Sequence, residues 1–154
     1  MKEVPLSWLS KVLLTSILCC MSLMLQLASA KSDDWVVLDA EAKALYKHAK
    51  YDRAAEVAKK ALAIAEKAEP NGLSVATSLN RLGDVYKELA RCDEAEPLYE
   101  RALTIREKAV GPESLAVAES LHGLMVLRII QGRYVDAEVA GTRALEIREK
   151  TLGA

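Results

Sequence analysis

The chain has 154 residues, with 21 basic and 22 acidic side chains, a size that suits one small domain. A formal net charge of −1 argues against a general binder of nucleic acid or other polyanions, which presents a basic face. Apolar residues make up 51% of the sequence, and the N-terminal segment inflates that share.

Residues 1–30 form a unit of their own. Lys2 and Lys11, partly offset by Glu3, precede VLLTSILCCMSLMLQL (12–27), which carries no charge, and Ala28-Ser29-Ala30 follows. A basic start, a short apolar run and a small-x-small ending predict a secretory signal peptide cleaved after Ala30. The alternative is an uncleaved membrane anchor, but the 16-residue run falls short of the roughly 20 needed to span a bilayer. A lipid-modified Cys19 or Cys20 is disfavoured, because Leu18 and Cys19 precede them where a small residue is usual. Cleavage removes two of the 21 basic groups and one of the 22 acidic ones, leaving 19 against 21. The exported domain, residues 31–154, keeps one cysteine, Cys92, so no internal disulfide supports it. A chain of that length buries roughly two-thirds of its unfolded surface, enough for a core.

The remaining sequence repeats itself. Aligning YDRAAEVAKKALAIAEKAEP (51–70), CDEAEPLYERALTIREKAVG (92–111) and YVDAEVAGTRALEIREKTLG (134–153) superposes Ala54/Ala95/Ala137, Ala61/Ala102/Ala144, Leu62/Leu103/Leu145 and Ile64/Ile105/Ile147 at offsets of 41 and 42. Each segment reads as an amphipathic helix. In the second, Ala95, Leu98, Tyr99, Ala102, Ile105 and Ala109 recur at steps of three and four. Asp93 with Glu96 fits an N-cap and its reciprocal partner, and Pro97 is expected in the first turn. Glu56/Lys60 and Glu146/Lys150 read as i,i+4 pairs on the solvated side.

A further helix precedes each of these: 35–50, 73–91 with Leu79, Leu82, Val85, Tyr86 and Leu89 as its stripe, and 115–133 with Leu121, Leu124, Met125 and Ile129 in register. Pro70-Asn71-Gly72 and Gly111-Pro112 separate the pairs, and no segment alternates with period two, so no strands are expected. Three helix pairs at a fixed period define an all-α solenoid with repeats at about 35–70, 73–111 and 115–153. The aligned alanines mark where helices approach closely.

The pattern resembles the tetratricopeptide repeat, in which a large residue, Leu-Gly and Tyr mark the first helix and an Ala, an aromatic and another Ala mark the second. Leu79, Leu82-Gly83, Tyr86, Ala95, Tyr99 and Ala102 match it. The period near 42 and the wording AEPLYERALTIREKAVGPES are similar to the longer repeats of kinesin light chain. The outer repeats depart from the pattern, with Glu41, Ala42, Leu45 and Ala58 in the first and Met125, Arg128 and Gly141 in the third. The resemblance implies a right-handed superhelix whose first helices line a concave groove for a peptide or partner helix. It does not carry over the motor-adaptor role.

Chemistry is sparse. His48 and His122 lie in different repeats without ligand-spaced partners, so no metal site is expected. Cys92 occupies the corner that Tyr51 and Tyr134 occupy elsewhere, which makes packing the simpler role than nucleophile. No glycine-rich phosphate loop is present, and runs such as REK read as solvated helix faces. No cofactor and no catalysis are expected.

The groove positions implied by the resemblance are Asp39, Lys43, Tyr46 and Lys47 in the first repeat, Asn80, Asp84 and Lys87 in the second, and His122, Val126 and Ile129 in the third. Asn80 stands where such domains hold a ligand backbone, since an amide both donates and accepts; the alternative is an exposed polar residue without a role. The surface is mixed in charge at one end and apolar at the other, which suits a ligand with a hydrophobic anchor. The leading expectation is thus an exported, non-catalytic module that binds a protein or peptide, with no nucleic acid and with a membrane only if the leader is uncleaved. The second is a self-associating subunit, such as a homodimer, formed through the last repeat, which no further polar helix covers.

Overall fold

The computed structural model describes residues 34–153, so the expected signal segment lies outside the described residues. Six helices follow in order: α1 (34–47), α2 (Tyr51–Ala68), α3 (Leu73–Glu88), α4 (Cys92–Val110), α5 (Leu115–Ile130) and α6 (Tyr134–Leu152). No strand occurs among the described residues. The boundaries fall within a few residues of the helices read from the sequence.

The corner inside each helix pair is built the same way three times. Ala49, Ala90 and Gly132 adopt positive φ of 54°, 57° and 74°. The next N–H then reaches back to a carbonyl five residues earlier: Lys50 to Leu45 at 3.0 Å, Arg91 to Tyr86 and Arg133 to Arg128 at 2.8 Å. This left-handed C-terminal motif satisfies the last carbonyls of the first helix and turns the chain into the second.

The aligned alanines are the close contacts of the stack. Ala54, Ala95 and Ala137 are 0%, 0% and 3% exposed, and Ala61, Ala102 and Ala144 are 1%, 0% and 2% exposed. The main core joins Ala54, Ala58, Leu82, Val85, Tyr99, Leu124 and Leu127 across all three repeats. Its centre is Tyr99, whose ring lies where a Cβ on either Gly83 or Gly123 would stand, 2.9 Å and 2.5 Å from ring carbons. Both glycines are required by that ring, one from α3 and one from α5. The Tyr99 hydroxyl donates to Asp84 Oδ1 at 2.7 Å. Burial, and next the Asp84 charge, pushes that phenol well above its ordinary range.

Three local expectations are corrected. No side chain caps α4, whose N-cap residue is Arg91; Glu96 instead accepts from Arg128 and Arg133 of the following repeat at 3.2 and 2.8 Å. Pro97 is the sixth residue of α4, past the first turn. Lys150 pairs with Glu113 at 2.6 Å and not with Glu146. The joints between repeats, not the helix surfaces, claim these charges.

Helices α1, α3 and α5 form one layer and α2, α4 and α6 the other. Within the first, α3 packs directly on α5. In the second, neighbours are bridged by long side chains, Arg101 to Glu66 and Arg143 to Glu107, each at 2.6 Å. Beside those bridges, clefts of about 480 and 330 Å³ open at equivalent positions, lined by Arg101, Ile105 and Lys108 in one and Arg143, Ile147 and Lys150 in the other. A stack tight on one side and splayed on the other curves, with α1, α3 and α5 inside.

Candidate ligand groove

The inner layer carries all ten residues proposed for the groove. In α1 and α3, three of their five charges are engaged, Asp39 across the repeats and Asp84 and Lys87 along α3. Asp39 receives Arg81 in a two-pronged pair at 2.6 and 2.9 Å. Tyr46 donates to Glu88 at 3.1 Å, and its phenol is raised well above the ordinary range by burial and then by the Glu88 charge. Lys87 lies 3.6 Å from Asp84 and 3.8 Å from Glu88. Lys43 and Lys47 are exposed, and neither joins an ion pair among the described residues. The near end of the groove therefore offers ammonium groups while its carboxylates are already engaged.

Asn80 is 7% exposed, so it is not a free surface amide. Its Oδ1 accepts from Ser120 Oγ at 3.2 Å, and Ser120 in turn accepts from Arg106 at 3.0 Å. Arg106 also donates to the Ala116 carbonyl at 2.8 Å and pairs with Glu119 at 2.9 Å. Arg106 is 4% exposed and Ser120 fully buried, yet among the described residues no buried side-chain polar atom lacks a partner. This polar chain runs from α4 through α5 to α3 and ties the second repeat to the third. The Asn80 amide nitrogen makes no hydrogen bond among the described residues, and it is not a buried atom left without a partner.

At the far end His122 is exposed and Val126 half-buried, while Ile129 and its neighbour Ile130 are 47% and 56% exposed. Ile130 was not among the residues read from the sequence, although the adjoining Ile129 signalled the patch. Among the described residues no group of His, Cys, Asp and Glu is arranged to hold a metal ion, and none of the helices is long and apolar enough to cross a membrane. Cys92 is half-buried at the corner of the second repeat.

Helix pairs at a fixed period, with small residues at their crossings and a curved inner layer, define an α-solenoid. The tetratricopeptide-repeat family matches residues 37–108 and 74–150, and the chain belongs to that family. No curated protein is similar enough to count as a relative. Among solved structures, BtubC (BKLC) from P. vanneervenii is similar at 30% identity and TM-score 0.71, over 75% of this chain and 46% of that one. A putative kinesin light chain from Podosopora anserina with nearly identical TPR-like repeats is similar at 22% identity and TM-score 0.68, over 75% and 55%. The chain spans about half the length of these structures.

Proposed function

We propose that the protein is an exported, non-catalytic interaction module whose α1–α3–α5 groove binds an extended peptide segment of a partner protein. The observation that carries this reading is the polarity along the groove, from unengaged Lys43 and Lys47 at one end to exposed Ile129 and Ile130 at the other. A peptide that places an apolar side chain against Val126 and Ile129 and an acidic group toward Lys43 and Lys47 satisfies both ends. An apolar anchor supplies most of the affinity in such a groove, and the charges set direction. Lys87 and the amide nitrogen of Asn80 are the donors for the ligand backbone between them.

The test is selection of peptides from a random displayed library, followed by titration of the chosen peptides into isotope-labelled protein. Shifts are expected at Lys43, Lys47, Asn80 and Ile129, and Ile129→Glu should weaken binding about tenfold or more, the effect of burying a charge against an apolar anchor. Selected peptides that shift only the α2–α4–α6 layer, or that bind Ile129→Glu as tightly as the parent, refute the groove. Export is tested separately: the mature protein should begin at Lys31, and a start at Met1 overturns leader cleavage.

A further inference from the structure

The joint between the second and third repeats rests chiefly on three charged residues of α4, with Glu100, whose α6 counterpart is Thr142, adding a longer 3.6 Å pair to Arg128. Glu96 receives Arg128 and Arg133, Arg106 enters α5 to meet Ala116, Glu119 and Ser120, and Glu107 receives Arg143. Helix α6 repeats all three at the same helical positions, as Glu138, Arg148 and Glu149. None of these joins an ion pair among the described residues. Between them Leu145 is 55% exposed, whereas its counterpart Leu103 is half-buried in the joint, and Tyr134 and Leu152 on the same arc are each 69% exposed. The outer face of the third repeat is thus written as a joint, and nothing among the described residues covers it.

The first repeat carries the receiving half. Lys50 is the N-cap residue of α2, the place that Arg91 and Arg133 hold before α4 and α6. Lys60 is the tenth residue of its helix, where Arg101 and Arg143 reach back to Glu66 and Glu107. Val37 stands where Ser78 and Ser120 are 1% and 0% exposed, but is itself 65% exposed. Asp34 and Glu41, both exposed, lie about one turn to either side of it. The order of charge on α6 is negative, positive, negative; on the α1–α2 face it is positive, negative, positive.

We propose that the α6 face is a docking surface for the α1–α2 face of a second copy of this chain, with Glu138 toward Lys50, Arg148 toward Asp34 and Glu41, and Glu149 toward Lys60. The joint continues the internal repeat-to-repeat geometry across two molecules. It is heterologous, so it does not close on itself and propagates into head-to-tail rows. Apolar contact between Leu145, Leu152 and Val37 supplies attraction, and the charges set register and direction. This is independent of what the groove binds.

The experiment is sedimentation velocity over a range of concentration on the protein as its cell matures it, with Glu149→Lys, with Lys60→Glu, and with an equimolar mixture of the two. The parent's average mass is expected to climb past that of a dimer. Each variant alone places like charges at the joint and should need about tenfold more protein to assemble. In the mixture every heterotypic joint carries an opposite-charge pair, and assembly should return to the parent's concentration range. Both sites are exposed helix positions, and circular dichroism checks that helix content is kept. A parent that stays at protomer mass throughout overturns the proposal. So does assembly that stops at a dimer indifferent to Lys60→Glu, the signature of two α6 faces meeting, or a mixture that fails to recover.

Discussion

Gly123→Ala is the sharpest test of how the core is assembled, because two well-measured effects act on it with opposite sign. Gly123 sits inside α5, where replacing glycine by alanine ordinarily stabilises a helix by about 1 kcal/mol. Here the new methyl would lie 2.5 Å from Tyr99 Cε1 and 2.7 Å from Cδ1. That ring is 1% exposed and tethered through its hydroxyl to Asp84, so it cannot swing aside as a flexible chain end does. Overpacking of this kind costs about 1–3 kcal/mol, and an overlap this deep belongs in the upper half of that range. The net expectation is a loss of about 1–2 kcal/mol. Urea unfolding followed by circular dichroism, compared at equal slope, measures it. Tyr99→Leu, costly by itself because it opens the core, should cost less in the Gly123→Ala background, giving a coupling above about 0.5 kcal/mol. A stabilised Gly123→Ala, or strict additivity with Tyr99→Leu, would refute the claim that the ring dictates the glycine.

Three further outcomes follow from the joints and corners. Arg106→Ala takes the guanidinium from the buried Ser120 hydroxyl and the half-buried Ala116 carbonyl and should cost about 3 kcal/mol by the same unfolding assay. Ala90→Gly relieves an alanine held at φ 57° and should raise stability by about 1 kcal/mol, while the same change at solvent-exposed Ala63, within α2, should lower it. Burial works to raise the Glu96 carboxyl, but the hydrogen bonds and charges of Arg133 and Arg128 outweigh it and hold the group below the ordinary carboxylate value. A lowered folded value stabilises fully above the unfolded carboxylate's range and is lost as pH falls through it. The stability advantage of the parent over Glu96→Gln should therefore be constant near neutral pH and shrink below about pH 4.5, as read from urea midpoints.

The parts legible in the sequence were those that every repeat shares. The alanine columns at 54/95/137 and 61/102/144 read correctly because each sits at the same crossing and tolerates nothing larger. Side chains that reach from one repeat into the next were harder. The REK runs read as solvated, yet Arg106 is buried, because its face of α4 is solvated only until the next repeat stacks on it. The one signal was its column, which holds Ala65, a buried alanine, in the first repeat. Glu96 misled in the same way: its spacing from Asp93 fits a cap, but two arginines more than thirty residues away outbid the local arrangement. The Leu62/Leu103/Leu145 column shows the converse, since identical letters give half-buried leucines twice and an exposed one where no further helix follows among the described residues. The resemblance put the groove candidates on α1, α3 and α5, but which of them were already occupied depended on pairings 40 to 42 residues apart.

The two internal joints are chemically unlike. The first carries the Asp39–Arg81 and Glu66–Arg101 pairs beside an apolar contact of Ala65 with Val75, Ala76 and Leu79, and holds Ser78 through the Trp35 indole at 2.8 Å. The second is centred on a buried guanidinium. Solenoid repeats are often treated as interchangeable bricks, but this array carries addresses. Moving the third hairpin directly behind the first would set Ser120 against Ala65 and the Trp35 indole and take it from Arg106 and Asn80, its partners in the native joint. The order of the repeats is enforced by its interior, and permuted versions of this chain should be penalised even though every hairpin in them is native.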